Sequence, residues 1–247
     1  MKTLLAALLV LVAAPLHAAE PTRFYGYAYD LKTNAYLYTE VHAAQIENGR
    51  WLGGTIDYYT PQGEKLAHKT MDFRNDEFVP VFRTEMLRSG YMEAITDNRE
   101  SVVMERREGK GKPVAQKRID KVSPMCADSG FHSCLRAGFP DLMAGKTLRF
   151  TLAVAGSLDS FRFRARRAGE TTFDGRKAVK IVVEPDSLLR LLAGPLELIY
   201  EPGQRQLLEY RGISNIHDPA TGKPYSTRIA YYARPPPDAP KLPPLGD

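Results

Sequence analysis

From Phe24 to Tyr232 the chain breaks into short runs of alternating side chains, each closed by glycine, proline, asparagine or aspartate. Alternation with period two sends successive side chains to opposite faces, so such runs read as half-buried strands. They fall at Phe24–Tyr29, Tyr36–His42, Trp51–Thr60, Lys65–Phe73, Val81–Met86, Tyr91–Thr96, Ser101–Glu108 and Val114–Ile119. They resume at Thr147–Ala153, Ser160–Arg167, Lys177–Glu184, Leu196–Tyr200, Gln206–Ile213 and Tyr225–Tyr232. Asn48-Gly49 between two runs is a hairpin turn, because both residues tolerate positive φ. Roughly eleven to thirteen of these runs are expected to be antiparallel strands.

Two segments break the rhythm. Ser187 offers a capping side chain ahead of Leu188–Ala193, with Gly194 as C-terminal cap and Pro195 as stop, which predicts a two-turn helix. Leu135–Met143 is ambiguous, since Pro140 interrupts any long helix and Gly145 ends a short one. No strand–helix–strand alternation recurs, which argues against a parallel sheet. The expected fold is mainly β: a single large curved antiparallel sheet, half-barrel or barrel-like, with one or two short helices. A sheet of so many strands curls or closes rather than staying flat. The helix at Ser187–Ala193 would then cover its concave face.

Lys2, the apolar run Leu4–Ala14, Pro15 and the small residues Ala18 and Ala19 read as a secretory signal over residues 1–19, cleaved near Ala18 or Ala19. The apolar run falls short of the roughly twenty residues a spanning helix needs, and no later run reaches that length. Residues 20–232 are expected to form the antiparallel β domain. Residues 233–247, with proline at nearly every second position, read as an extended, disordered tail. The expected compartment is the periplasm, where Cys126 and Cys134 read as a disulfide. A zinc site would call for closer spacing and two further ligands. The net charge of +5, in an exported chain, points away from nucleic acid. It points toward anionic lipid head groups, lipopolysaccharide or acidic polymers, beside plain solubility.

No motif marks a reaction. His42, His68, His132 and His217 are scattered without metal-ligand spacing, and Gly156-Ser157-Leu158 lacks the second glycine of a nucleophile elbow. Asp72, Asp76 and Glu77 cluster at one turn, and Asp97 with Glu100 at another, as surface acids do. No catalytic residue, metal ligand or cofactor is assigned.

The most distinctive pattern is Phe161-Arg162-Phe163-Arg164-Ala165-Arg166. On a strand it places Phe161, Phe163 and Ala165 on one face and three arginines on the other. The row is either a solvated outer face or a docking stripe for phosphates or carboxylates, which arginine grips in pairs of hydrogen bonds. Arg162, Arg164 and Arg166, with Leu188, Leu189 and Leu192 of the predicted helix, are the candidate ligand-binding residues. A second basic segment runs from Arg106 and Arg107 through Lys110, Lys112, Lys117 and Arg118 to Lys121, at a predicted hairpin tip. Tyr25, Tyr27 and Tyr29 share one face of the first strand.

The signal segment, the many antiparallel strands and the leucine-rich helix, with Leu196–Pro202 and Leu207–Ile216 as closing strands, resemble the periplasmic lipoprotein-carrier (LolA/LolB-like) superfamily. That resemblance implies an incomplete β-barrel lidded by helices, holding acyl chains in an apolar cavity. The chain departs from the pattern in showing one clear helix where a carrier has several, so no family site residues carry over. The expectation is a non-enzymatic periplasmic carrier or binding protein for a lipid-like or amphipathic anionic ligand. The alternatives are an envelope-assembly partner acting through a sheet edge or the proline-rich tail, and a hydrolase of an envelope polymer.

Overall fold

The computed structural model of the chain describes residues 22–186, 194–237 and 239. Strands β1 (Thr22–Asp30), β2 (Tyr36–Glu47), β3 (Arg50–Tyr59), β4 (Lys65–Asp72), β5 (Val81–Met86), β6 (Met92–Asp97), β7 (Ser101–Arg107) and β8 (Val114–Asp120) form an antiparallel meander. β9 (Met125–Ala127), helices α1 (Gly130–Ala137) and α2 (Phe139–Met143), and β10 (Leu148–Val154) follow. β11 (Asp159–Phe173), β12 (Arg176–Pro185), β13 (Leu196–Glu201), β14 (Gln206–His217) and β15 (Pro224–Tyr232) complete the series. All fifteen described strands belong to one sheet, in which β1 pairs with β15 and the two ends are β8 and β9. The turns obey their chemistry: Asn48-Gly49 joins β2 to β3 and Asp174-Gly175 joins β11 to β12, each pair with positive φ.

The sheet does not close by hydrogen bonds; it rolls. The β9 end tucks beneath the opposite end, so that Met125, Ala127, Ala153 and Ala155 pack against Phe82, Ile95, Val102 and Met104 on the inner faces of β5 to β7. This roll explains the contrast between the two ends. Every residue of β9 is buried, whereas β8 is exposed along almost its whole length. The twist that each strand adds makes so long a sheet curl, and the apolar inner face gains most when it curls onto itself.

The concave space is filled by the crossover between β9 and β10. Leu135 of α1 and Phe139 and Leu142 of α2 pack on Phe150, Ala165, Val179, Ile181, Val183, Leu198 and Tyr200. Among the described residues the covering helices are therefore α1 and α2, where the sequence left Leu135–Met143 ambiguous. Residues 187–193, where the capping helix was expected, lie outside the described residues. The crossover also makes β9 parallel to β10, an exception to the wholly antiparallel expectation. A strand of three residues at the start of the Cys126–Cys134 loop is too short to alternate, so no pattern announces it. The disulfide forms, with S–S 2.01 Å, and ties β9 to α1. At the head of α1 a side chain on Gly130 would run into the Phe78 carbonyl, so glycine is needed for the close approach.

Candidate functional site

The expected arginine stripe lies on the convex face. Ala165 joins the core and Phe163 stacks near Phe150 at 6.3 Å, so the apolar half of that strand points inward as its alternation requires. Arg162 and Arg166 are exposed. Arg164 is engaged: its Nε and Nη2 donate to Glu184 on the adjoining strand at 2.9 and 2.5 Å. Arg149, its cross-strand partner, pairs with Asp186. The three arginines do not meet at a cavity rim. Leu188, Leu189 and Leu192 lie outside the described residues. Two clefts, of about 270 and 200 Å³, are lined by none of the three arginines.

The interior holds what sequence reasoning missed. Lys69 of β4, 4 % exposed, pairs with Asp128 just after β9. Asp128 also accepts from Asn215 Nδ2 at 2.6 Å, from the Ser129 amide at 2.5 Å and from the Ser129 hydroxyl at 2.9 Å. One carboxylate thus ties β4, β14 and the start of α1 across the roll. It does so from a left-handed backbone at φ 44°, which aspartate tolerates better than most residues. Nearby, Glu93 of β6 is buried and accepts from the Tyr91 hydroxyl at 3.1 Å. Burial, reinforced by the Asp128 charge and opposed by Lys69, pushes its carboxyl up to about 7. Glu40 and His42 form a second inner pair at 2.8 Å. Gly26 lies opposite Glu40 in register, where a Cβ would come within 2.9 Å of its Oε2. Tyr38, wholly buried, bonds Ser214 at 2.6 Å.

A signal for these groups does exist in the sequence. Ala67, Lys69 and Met71 are in phase along β4, as are Tyr91, Glu93 and Ile95 along β6, so each charge occupies an apolar position of its strand. Tyr36 breaks its expected phase: the strand bulges between Ala28 and Tyr29 of its neighbour, and Tyr36 bonds Thr39 rather than following Tyr38. Tyr25, Tyr27 and Tyr29 take the convex face, where Tyr29 lies under the Arg228 guanidinium at 4.7 Å. His132 stacks on Tyr200 with its Nδ1 2.9 Å from that hydroxyl, and burial together with the Arg136 charge holds it down to about 3. Among the described residues no group of histidines, cysteines and acids is placed to hold a metal.

The second feature is the free end of the sheet. The two edges are managed in opposite ways. The Ala127 amide of β9 donates to the Phe78 carbonyl at 2.9 Å and all three residues of β9 are buried, so that end is sealed. β8 pairs with β7 alone, and no described strand lies beyond it. Its seven residues would present about 23 Å of backbone. Between Arg106 and Lys121 stand seven basic residues against two acidic ones. Of these, Arg107 pairs with Glu85, Lys117 with Asp159 and Lys121 with Asp76, while Lys110 and Lys112 stand exposed at the tip. The sequence marked this segment as basic; the roll made it an edge.

No protein-family model matches the chain, and no curated protein does. Among solved structures it is similar to a β-barrel-like protein of a domain of unknown function (DUF1849) from Brucella abortus. The two are 10 % identical, with 87 % of this chain and 98 % of that one covered and a TM-score of 0.47. No described helix is long and apolar enough to cross a membrane.

Proposed function

We propose that this is a protein-docking module of the bacterial envelope, which takes an extended acidic segment of a partner protein along β8. The observation that carries the reading is the unequal treatment of the two sheet ends, one sealed and one open. An open edge offers main-chain hydrogen bonds to any extended chain, and the side chains around it select which. Lysine and arginine on an edge resist self-pairing: two copies meeting about the strand centre would set Lys117 against Lys117. The same charges favour glutamate or aspartate on a different partner. The envelope as compartment is supported by the signal-like segment at residues 1–19 and by the Cys126–Cys134 disulfide. The carrier reading asks for an apolar cavity, and the inner face is instead occupied by Leu135, Phe139, Leu142 and the Lys69–Asp128 pair. For that reason we favour the partner reading over a lipid ligand.

The test uses two nine-residue probe peptides, one alternating glutamate with valine and the other lysine with valine. Binding is followed by fluorescence anisotropy and by amide exchange. The acidic peptide should bind and protect amides within residues 114–120, and the double substitution Lys117→Glu, Arg118→Glu should weaken it by about tenfold or more. Equal binding of the basic peptide, or protection located elsewhere, would overturn the reading.

A further inference from the structure

The inner side of the overlap between the two sheet ends contains a group poised between two states. Glu93 lies in register with Thr84 on β5 and Arg106 on β7, all on the inner face. The Thr84 hydroxyl and the Arg106 Nε are both buried, and neither has a hydrogen-bond partner. A buried carboxyl flanked by two idle donors is unusual, since unpaired buried polar atoms are costly and rare. Arg106 pairs through Nη2 with Glu108 at 2.8 Å and spends its Nη1 on the Gly156 carbonyl at 2.8 Å, in the 3-10 turn Ala155–Ser157 that leads into β11. Gly156 rests directly on Glu93 and Tyr91, where a Cβ would collide with the Glu93 carboxyl. Two residues past that turn's end, Asp159 holds Lys117 of β8 at 3.1 Å. Polar ties from Arg106 and Lys117 thus hold the turn beneath β7 and β8.

We propose that this overlap is a gate, in which Arg106 exchanges the Gly156 carbonyl for the Glu93 carboxylate and so loosens the turn from beneath β7 and β8. Neutral Glu93 accepts from Tyr91 and needs no counter-charge, so Arg106 is free to hold Gly156. Ionised Glu93 is a buried carboxylate that must find donors. Lys69, the cation facing it from β4, is already held by Asp128, the anion facing it from the start of α1. Tyr91 on its own strand offers one donor, and Ala155–Ser157 offers no charge. The idle donors on Thr84 and Arg106 are what remain. A guanidinium–carboxylate bond carries opposite charges on its two partners, whereas the Gly156 carbonyl carries none, so the exchange favours Glu93 once it is charged. Loosening the turn removes Asp159 from Lys117 and leaves that lysine to a partner. This last consequence rests on the docking reading; the gate itself does not.

Amide exchange of the whole protein across pH 6 to 8, corrected for intrinsic rates and without peptide, tests the gate. Amides in residues 155–159 should lose about tenfold of their protection as pH rises through that range, while the β12 and β13 core stays constant. Glu93→Gln should keep the turn protected at every pH. A pH-independent wild type, or a Glu93→Gln protein that still switches, would overturn the proposal, and the wild-type profile decides it even where the variant fails to fold. Anisotropy with the acidic probe is then run at both ends of the range. Switching without any peptide binding leaves the gate and removes the docking reading; binding that never tracks a switch does the reverse.

Discussion

Replacing Lys69 by methionine removes one charge from a buried pair while keeping most of the aliphatic stem. Lys69 is 4 % exposed and the Asp128 side chain 5 %, so the remaining carboxylate cannot recover water without rearrangement. Breaking such a pair on one side costs about 3 to 5 kcal/mol. Asp128 keeps the Asn215 amide and both Ser129 donors, which places the expected loss at the lower end, about 3 kcal/mol. For a domain of this size that corresponds to a fall in Tm of about 6 to 12 °C. Urea unfolding should show the midpoint shift with an unchanged slope, the mark of altered stability rather than altered compactness. The pairwise control is Lys69→Met with Asp128→Asn, which removes both charges and should return to within about 1 kcal/mol of the wild type. A single variant within 1 kcal/mol of wild type, or a double variant as unstable as the single, would refute the claim that an uncompensated charge is the cause.

Two further outcomes are expected. The folded-state value of Glu93, about 7, lies above its ordinary 4.5, so the folded chain holds that proton more tightly than the unfolded one. Its contribution, about 3 kcal/mol, is complete below pH 4.5 and is lost as pH rises through about 7; Glu93→Gln should flatten that part of the stability profile measured by urea titration. Replacing Cys126 and Cys134 together by alanine should cost about 2 to 3 kcal/mol and make stability indifferent to added thiol, as read by denaturant melts with and without reductant.

Much of the sheet was legible because strand periodicity is a local property. Phe161–Arg166 states its two faces residue by residue, and Asn48-Gly49 states its turn through backbone sterics alone. The basic hairpin and the cysteine pair were equally plain. Four things were not legible. β9 has three residues and no period. The filling of the concave side by α1 and α2 depends on a crossover whose helices are broken by Gly138 and Pro140. Lys69 and Glu93 carry a faint signal, a charge in an apolar phase, but what satisfies each one comes from elsewhere. Asp128 is 59 positions from Lys69 and 87 from Asn215. The arginine row was read correctly as a face, yet Glu184 had to be beside it before Arg164 could be seen as engaged.

Which segments become strands, where most of them turn, and which face of each is apolar follow from side-chain alternation and the few residues that accept positive φ. That the sheet rolls instead of closing, that one end is sealed inside while no described strand flanks the other, and that Glu93 sits between two idle donors came from the folded arrangement. Those outcomes depend on accumulated twist and on contacts between residues far apart in the chain, and no window of sequence contains them.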